Sequence, residues 1–327
     1  MANTERRYPL SILTTPVLPP GQYGWLWDAR SRTPDEWVSL ARACGLRGIL
    51  AKYNDGAAVV AGDGSGQRWA EEFRKLVDPC AAAGLLLIPW GYTYPDDYQP
   101  AATRIVAQAV AESLPANGGA FYIFHPEIEW DRDPQAADKA RQLFGALKQM
   151  APGARWLYSS WGWVDQHPKF PWVVWQHNCQ GFLPQAYPNT LGIPDPDLVW
   201  NRAYGGPSFG GPQSAAWTGP QGFSDLAARK PIIPTFDIYG GVIPRLAELA
   251  RNWGAPAISW WVMDNFGEET VAELAANPYA SKPTAQDVAG EVSEVVGLRL
   301  ALDRERARAD ALQRRIDRAL AVLKGGE

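Results

Sequence analysis

The sequence predicts an α/β fold, a (β/α)8 TIM barrel followed by a C-terminal coiled-coil helix. Three observations carry this. Eight apolar or aromatic runs mostly alternate with helical patterns over about 250 residues, the usual extent of such a barrel. Polar residues gather at the C-terminal tips of those runs: Asp28, Lys52, Glu127, Glu129, Gln185, Asp237 and Asp264. That end is where barrel active sites sit. Beyond Lys282–Thr284 the composition shifts to Ala, Arg, Glu, Leu and Val with a seven-residue period. The domains follow: a lead over 1–20, a barrel over 21–281 and a helix over 285–324.

The first strand is expected over Gln22–Asp28, after a Pro-rich lead. Thr33-Pro34-Asp35-Glu36 starts a helix, with Thr as N-cap and Pro at the first helical position. That helix ends near Cys44-Gly45. The second strand is Arg47–Tyr53, with Lys52, Asn54 and Asp55 at its tip. A helix over Gln67–Ala83 stops at Gly84. Leu85–Tyr92 is the third strand and Ala101–Ser113 its helix. Phe121 opens the fourth, and Pro134–Met150 is the helix after it. Arg155–Trp161 and Gly181–Tyr187 are the fifth and sixth strands, with a Trp- and Pro-rich loop between them. The stretch from Tyr187 to Lys230 is rich in Gly, Pro, Ser and Trp, and a loop of that length is usually functional. Its Gly205-Gly206 and Gly210-Gly211 pairs fit a lid. Lys230–Tyr239 is the seventh strand, Val242–Trp253 its helix, and Ala255–Asp264 the eighth strand. In the tail, Val288, Val295, Leu302, Ala309, Ile316 and Leu323 fall seven apart. Leu298, Leu312 and Ala319 lie three after such positions, and Glu291 and Glu305 depart from the pattern. A coiled coil, and hence a homo-oligomer formed through 285–324, is expected. The bland alternative is one amphipathic helix lying back on the barrel.

The fourth run carries the chemistry. It reads F-Y-I-F-H-P-E-I-E-W-D from Phe121 to Asp131. Alternation along a strand puts Glu127 and Glu129 on one face, about 6.5–7 Å apart along the backbone. Phe121, Ile123 and His125 share that face below them. Buried acids are costly unless water, a partner or a substrate meets them. Paired carboxylates are what glycoside hydrolysis uses, one as acid and one as base or nucleophile. The bland reading is two acids that cap a neighbouring helix or pair with Lys52 or an Arg. A metal site from His125, Glu127 and Glu129 is the weaker choice, since alternate strand residues run in a line; a buried, hydrogen-bonded histidine is preferred.

Composition narrows the partners. With 327 residues and a net charge of −4, nothing favours a nucleic-acid partner. Three cysteines make no disulfide framework and read as small core residues. No signal peptide is expected, because M-A-N-T-E-R-R-Y-P-L has no apolar h-region. No apolar run is long enough for a membrane span. No motif calls for a cofactor. Sixteen tryptophans suit either a large core or platforms for sugar rings. Trp27, Trp90, Tyr92, Trp130, Tyr158, Trp161, Tyr187 and Trp260 are the platforms expected at the strand tips.

The strand tips resemble glycoside hydrolase family 25, the Chalaropsis-type lysozymes. Ala-Lys-Tyr-Asn-Asp-Gly (51–56) is similar to that family's strand ending in K-x-x-x-G. Glu127-Ile128-Glu129 resembles its D-x-E, with Glu in place of Asp. Leu157–Trp161 resembles its I-Y-(S/T)-S segment, and Pro184–Tyr187 its (A/W)-x-Y strand. The resemblance implies a (β/α)8 glycosidase with Glu129 as general acid and Glu127 as the carboxylate that stabilises or attacks. It matches Asp28 to the first-strand Asp and Asp264 to the last-strand acid. The family's first-strand D-(V/I)-S is here W-D-A-R. Bacterial wall peptidoglycan is the substrate it implies. The expected substrate-binding set is Asp28, Lys52, Trp90, Tyr92, Tyr158, Gln185, Tyr187, Trp260 and Asp264. Such a protein would be cytoplasmic until released, or part of a phage or secreted particle. A second class of function is a non-catalytic carbohydrate-binding or structural module, such as a phage tail or injection-machine component displayed by the coiled coil.

Overall fold

The computed structural model describes residues 18–279, apart from 63–65, 189, 191, 194, 205–230, 239–240 and 254. Most of the lead, most of the expected lid and the coiled coil lie outside the described residues. Eight parallel strands close into a barrel in chain order. They are β1 (Gly21–Leu26), β2 (Gly48–Asp55), β3 (Leu86–Thr93), β4 (Phe121–Pro126), β5 (Arg155–Trp161), β6 (Gly181–Gln185), β7 (Thr235–Asp237) and β8 (Ala257–Trp261). Closure comes from β8 pairing with β1, with Gly21 opposite Ala257.

Helices fill the connections. The first, α1 (Pro34–Ala43), begins on the expected cap. Thr33 Oγ1 accepts the Glu36 N–H at 3.3 Å, and the Glu36 carboxylate accepts the Thr33 N–H at 2.7 Å. This reciprocal pair satisfies two donors that a helix start leaves open. Next come α2 (Trp69–Ala83) and α3 (Pro100–Asn117). A one-turn α4 (Ile128–Arg132) and α5 (Ala136–Met150) follow β4. The remainder are α6 (Trp172–Asn178), α7 (Pro196–Tyr204), α8 (Ile243–Trp253) and α9 (Glu268–Ala276). Among the described residues, no helix is long and apolar enough to cross a membrane.

Two of these helices replace stretches read as loops. The Trp- and Pro-rich segment forms α6 because Trp172 and Trp175 are buried against the outer core. Helix α7 starts within the Gly- and Pro-rich stretch, where the Asp195 carboxylate accepts the Asp197 N–H at 2.9 Å. Side-chain oxygens at helix starts outweigh a loop-like composition nearby.

Inward and outward positions alternate along the strands, as a pleated barrel requires. Tyr23, Trp25, Leu50, Ile88, Trp90, Ile123, Leu157, Leu183 and Ala257 pack together inside the barrel. Leu26, Ile49, Leu87, Tyr122, Phe124, Tyr158, Phe182, Phe236, Ile258 and Trp260 pack outward under the helices. The three cysteines are buried and form no disulfide among the described residues, as expected of core residues.

Candidate active site

The site forms where β3, β4, β6 and β8 reach the C-terminal mouth. Strand β4 supplies its floor. His125 takes the last inward position and is 5% exposed. Its ring sits among Trp90, Tyr92, Trp25 and Trp261, with centroids 5.4 to 6.3 Å away. His125 Nε2 lies 2.6 Å from Glu127 Oε1 and 2.6 Å from Gln185 Nε2. The Gln185 amide also donates to Glu127 Oε1 at 3.3 Å. Gln185 is fixed in turn by Gly162. A Cβ there would meet the Gln185 carbonyl oxygen at 2.6 Å, and the Gly162 N–H donates to that oxygen at 3.0 Å.

The expected continuous strand through Glu129 does not form. Strand β4 ends at Pro126, and Glu127 turns the chain with φ −135 and ψ −139. The Trp130 N–H donates to the Glu127 carbonyl at 2.9 Å, closing the first turn of α4. Ser160 holds the junction from β5, donating to the Pro126 carbonyl at 2.8 Å. Glu129 therefore stands on a helical turn. Tyr92 Oη, from β3, donates to Glu129 Oε2 at 2.8 Å. The Tyr92 ring also lies 5.5 Å from that of His125, which bonds Glu127, so the two carboxyls belong to one locality.

The carboxyls have unlike surroundings. Burial pushes the Glu127 carboxyl up, but the His125 hydrogen bond and charge, the Gln185 amide and the charge of His167 together outweigh it. Glu127 is thereby held below the usual carboxylate range and stays ionised. Glu129 has one oxygen in the Tyr92 bond and none of those partners. Burial first, then the Glu127 charge and the Glu129 bond, raise the Tyr92 phenol far above its usual value, so it remains a donor. Beside the carboxyls, Trp261 and Tyr187 stack with centroids 6.1 Å apart at 22°, both half-buried. Trp27 meets Trp261 edge-on at 5.9 Å.

Several expected site residues are elsewhere or engaged otherwise. Tyr158 and Trp260 face outward. Tyr158 stacks on Phe182 at 4.4 Å and donates to Gln176 Oε1 at 2.9 Å. Trp260 packs by Phe236, its Nε1 donating to Gln22 Oε1 at 3.3 Å. The inward position belongs to Trp261, which the sequence reading missed. Small inward residues Ala257 and Ser259 at the same parity were the available signal. Trp90 and Trp130 are fully buried and offer no face to a ligand. Trp90 Nε1 donates to the Leu50 carbonyl at 3.1 Å and Trp130 Nε1 to the Thr93 carbonyl at 2.6 Å. Lys52 reaches the mouth but is 4% exposed. Its ammonium lies 3.7 Å over Trp27 and 4.2 Å over Trp69, and donates to Asp55 Oδ2 at 2.9 Å. It supports Trp27 rather than meeting a ligand.

The acids of β1 and β8 are also spoken for. Asp264 Oδ2 and Oδ1 accept the Trp27 and Asp28 N–H groups at 2.9 and 2.7 Å. Burial nonetheless raises the Asp264 carboxyl above its usual range, the two backbone donors only partly opposing it. Asp28 forms a two-pronged pair with Arg30, at 2.9 and 2.7 Å. That bond leads the causes that lower Asp28 to about 2. Asp237 Oδ2 accepts the Thr190 N–H and hydroxyl at 2.7 and 2.6 Å. Of the residues expected to bind or act, the structure gathers Glu127, Glu129, Tyr92, Gln185 and Tyr187.

No family model matches the chain, and no curated protein matches it significantly. Solved structures do. An exo-β-1,4-mannosidase from Opitutaceae bacterium strain TAV5 superposes with a TM-score of 0.50 at 12% identity, over 79% of this chain and 58% of its own. A class V chitinase from Pseudomonas fluorescens Pf-5 gives 0.48 at 12% identity, over 79% and 99%. A spore cortex-lytic enzyme from Bacillus megaterium QM B1551 gives 0.49 at 8% identity, over 79% and 74%. At such identities the likeness is one of fold. The chain shares the mannosidase's barrel and spans well under two thirds of that protein's length.

Proposed function

We propose that the chain is a glycoside hydrolase acting on a bacterial cell-wall or related polysaccharide. The observation that carries this is the unlike pair of carboxyls at the barrel mouth. Glu127 is kept ionised by His125 and Gln185, while Glu129 has one oxygen outside its Tyr92 bond. Glycosidic cleavage needs that division between a proton donor and a carboxylate. In this reading Glu129 protonates the leaving oxygen as the bond to the anomeric carbon breaks. Glu127 stabilises or attacks the positive anomeric carbon. Water then adds its hydroxyl to that carbon, releasing Glu127 as a carboxylate where it has bonded, and returns a proton to Glu129. Trp261 and Tyr187 offer aromatic surface for a sugar ring. The cell-wall substrate rests on the strand-tip resemblance to family 25.

A second reading is a carbohydrate-binding barrel without turnover. The engagement of Asp28 and Asp264 in structural bonds favours it, since a site of the kind the resemblance implies would have those acids open. A panel of wall peptidoglycan, chitin-type and mannan-type glycans separates the two. Turnover of any of them by the wild type, lost in Glu129→Gln, is the expected result. Binding without turnover across the panel would sink the hydrolase reading.

A further inference from the structure

One acid of the F-Y-I-F-H-P-E-I-E-W-D stretch has no part in the chemistry above. Asp131 lies on the same turn as Glu129, in α4. Among the described residues its Oδ1 is buried with no hydrogen-bond partner. Its Oδ2 lies 3.7 Å from His167 Nδ1, an ion-pair distance and too long for a hydrogen bond. The His167 ring lies flat on Trp161, with centroids 3.6 Å apart and planes within 4°. Its backbone is anchored too. The His167 N–H donates to the Val164 carbonyl at 3.1 Å, and its own carbonyl accepts from Trp172 Nε1 at 2.8 Å. An imidazole is thus held in place by an indole, with a half-buried carboxylate beside it.

We propose that Asp131 and His167 form a positioning couple for the carboxylate pair, in which Asp131 favours the imidazolium of His167 and that charge supports the ionised Glu127. The couple's effect on turnover rests on the glycosidase reading; its effect on charge does not. An opposite charge within a few ångströms favours the charged form of each partner. His167 is one of the groups whose charge favours the ionised Glu127. Among the described residues Asp131 from α4 lies at ion-pair distance from His167, and Glu127 at the end of β4 is influenced by its charge. Trp161 from β5 and Trp172 from α6 cover it without charge. Removing the Asp131 carboxylate takes away a negative charge at ion-pair distance from the imidazole and so weakens the imidazolium. His125 bonds Glu127 directly, and the charge of His167 adds to that support. Cleavage needs Glu127 ionised while Glu129 is protonated, and the couple widens the pH range in which both hold.

Two measurements on the full chain test this. The three histidines are followed by imidazole NMR titration, with His167 assigned through His167→Gln. Asp131→Asn is expected to weaken proton binding at His167 about tenfold. The Glu127 carboxyl, assigned by 13C labelling and Glu127→Gln, is expected to titrate at higher pH in both Asp131→Asn and His167→Gln. A His167 or Glu127 midpoint that does not move would overturn the couple. If Asp131→Asn does not fold, His167→Gln carries the same test through Glu127. The activity readout is the acid limb of the pH–rate profile. It should rise in His167→Gln and return in His167→Arg, which keeps a positive charge. Turnover with unmoved midpoints removes the couple and leaves the glycosidase. Moved midpoints without turnover on any glycan keep the couple and remove the glycosidase.

Discussion

The tip of β4 and the seam between β1 and β8 look alike in the sequence. Each ends an apolar run in acids, Glu127 and Glu129 in one case and Asp28 and Asp264 in the other. In the structure their acids have opposite employment. Glu127 and Glu129 take their hydrogen bonds from side chains, namely His125, Gln185 and Tyr92. Asp264 takes its bonds from the backbone of β1's end, and Asp28 from Arg30 two residues on. A carboxylate consumed by backbone N–H groups holds the barrel's closing seam. One bonded only by side chains can exchange a proton or meet a substrate. For Asp264 the difference lies in its backbone donors and for Asp28 in the guanidinium that pairs with both its oxygens, and strand position alone reveals neither.

The largest contrast is expected in turnover. Glu129→Gln should lower hydrolysis about 10²–10⁴-fold, the usual worth of a general acid, with little change in melting temperature. Asp264→Asn should do the reverse, lowering melting temperature while leaving measurable turnover. Rates on a solubilised glycan beside thermal melts of both variants check this. Comparable rate losses in the two would erase the distinction between the regions.

Next comes the pair of adjacent tryptophans at the end of β8. Trp260→Ala opens a cavity under the helices and should cost about 3–5 kcal/mol of stability. Trp261→Ala removes surface at the mouth, so its main effect should fall on glycan binding. Urea melts and glycan titration of both variants report it. Equal destabilisation by the two would mean that the assigned register of β8 is wrong.

Asp264→Ala tests the seam itself. It removes both acceptors for the Trp27 and Asp28 N–H groups and should cost about 1.5–3 kcal/mol, the worth of a bond to a charged group. Exchange of those two amides with solvent should speed up first. Protection unchanged at both would show that water replaces the carboxylate at no cost.

The smallest effect is in pH. Glu127 titrates below its unfolded value in the folded state, so its contribution is present above about pH 4.3 and fades as pH falls through the folded value. Asp264 titrates above its unfolded value, so its contribution is full in acid and fades as pH rises through the folded value. The stability difference between wild type and Glu127→Gln should shrink on acidification. That between wild type and Asp264→Asn should grow. Chemical melts from pH 7 to about pH 2 give both signs, and parallel curves would contradict the assigned shifts.

Much of the fold was legible in the chain. Strand β5 runs from Arg155 to Trp161 as read, and Thr33 caps α1 as read, because local patterning and cap chemistry are properties of a few neighbouring residues. Phe121, Ile123 and His125 share the inward face for the same reason, a period of two. The coiled coil and most of the expected lid lie outside the described residues.

Local pattern was enough to establish that a barrel forms and that acids stand at its mouth, because both follow from periodicity and from residue type. It also singled out Glu127 and Glu129. Which acids the fold ties into its own backbone bonds was settled only when the barrel closed. Asp264 meets its backbone partners across more than two hundred residues of chain, at a seam that exists only in the closed barrel. The parity of Trp260 and Trp261 was likewise settled by packing, since an indole buries equally well inside the barrel or beneath its helices. His167 reaches Asp131 only through the connection between β5 and α6, whose helix forms because its tryptophans find the outer core. Contacts between distant segments cost chain entropy that no local pattern records, and the folded barrel alone selects among them.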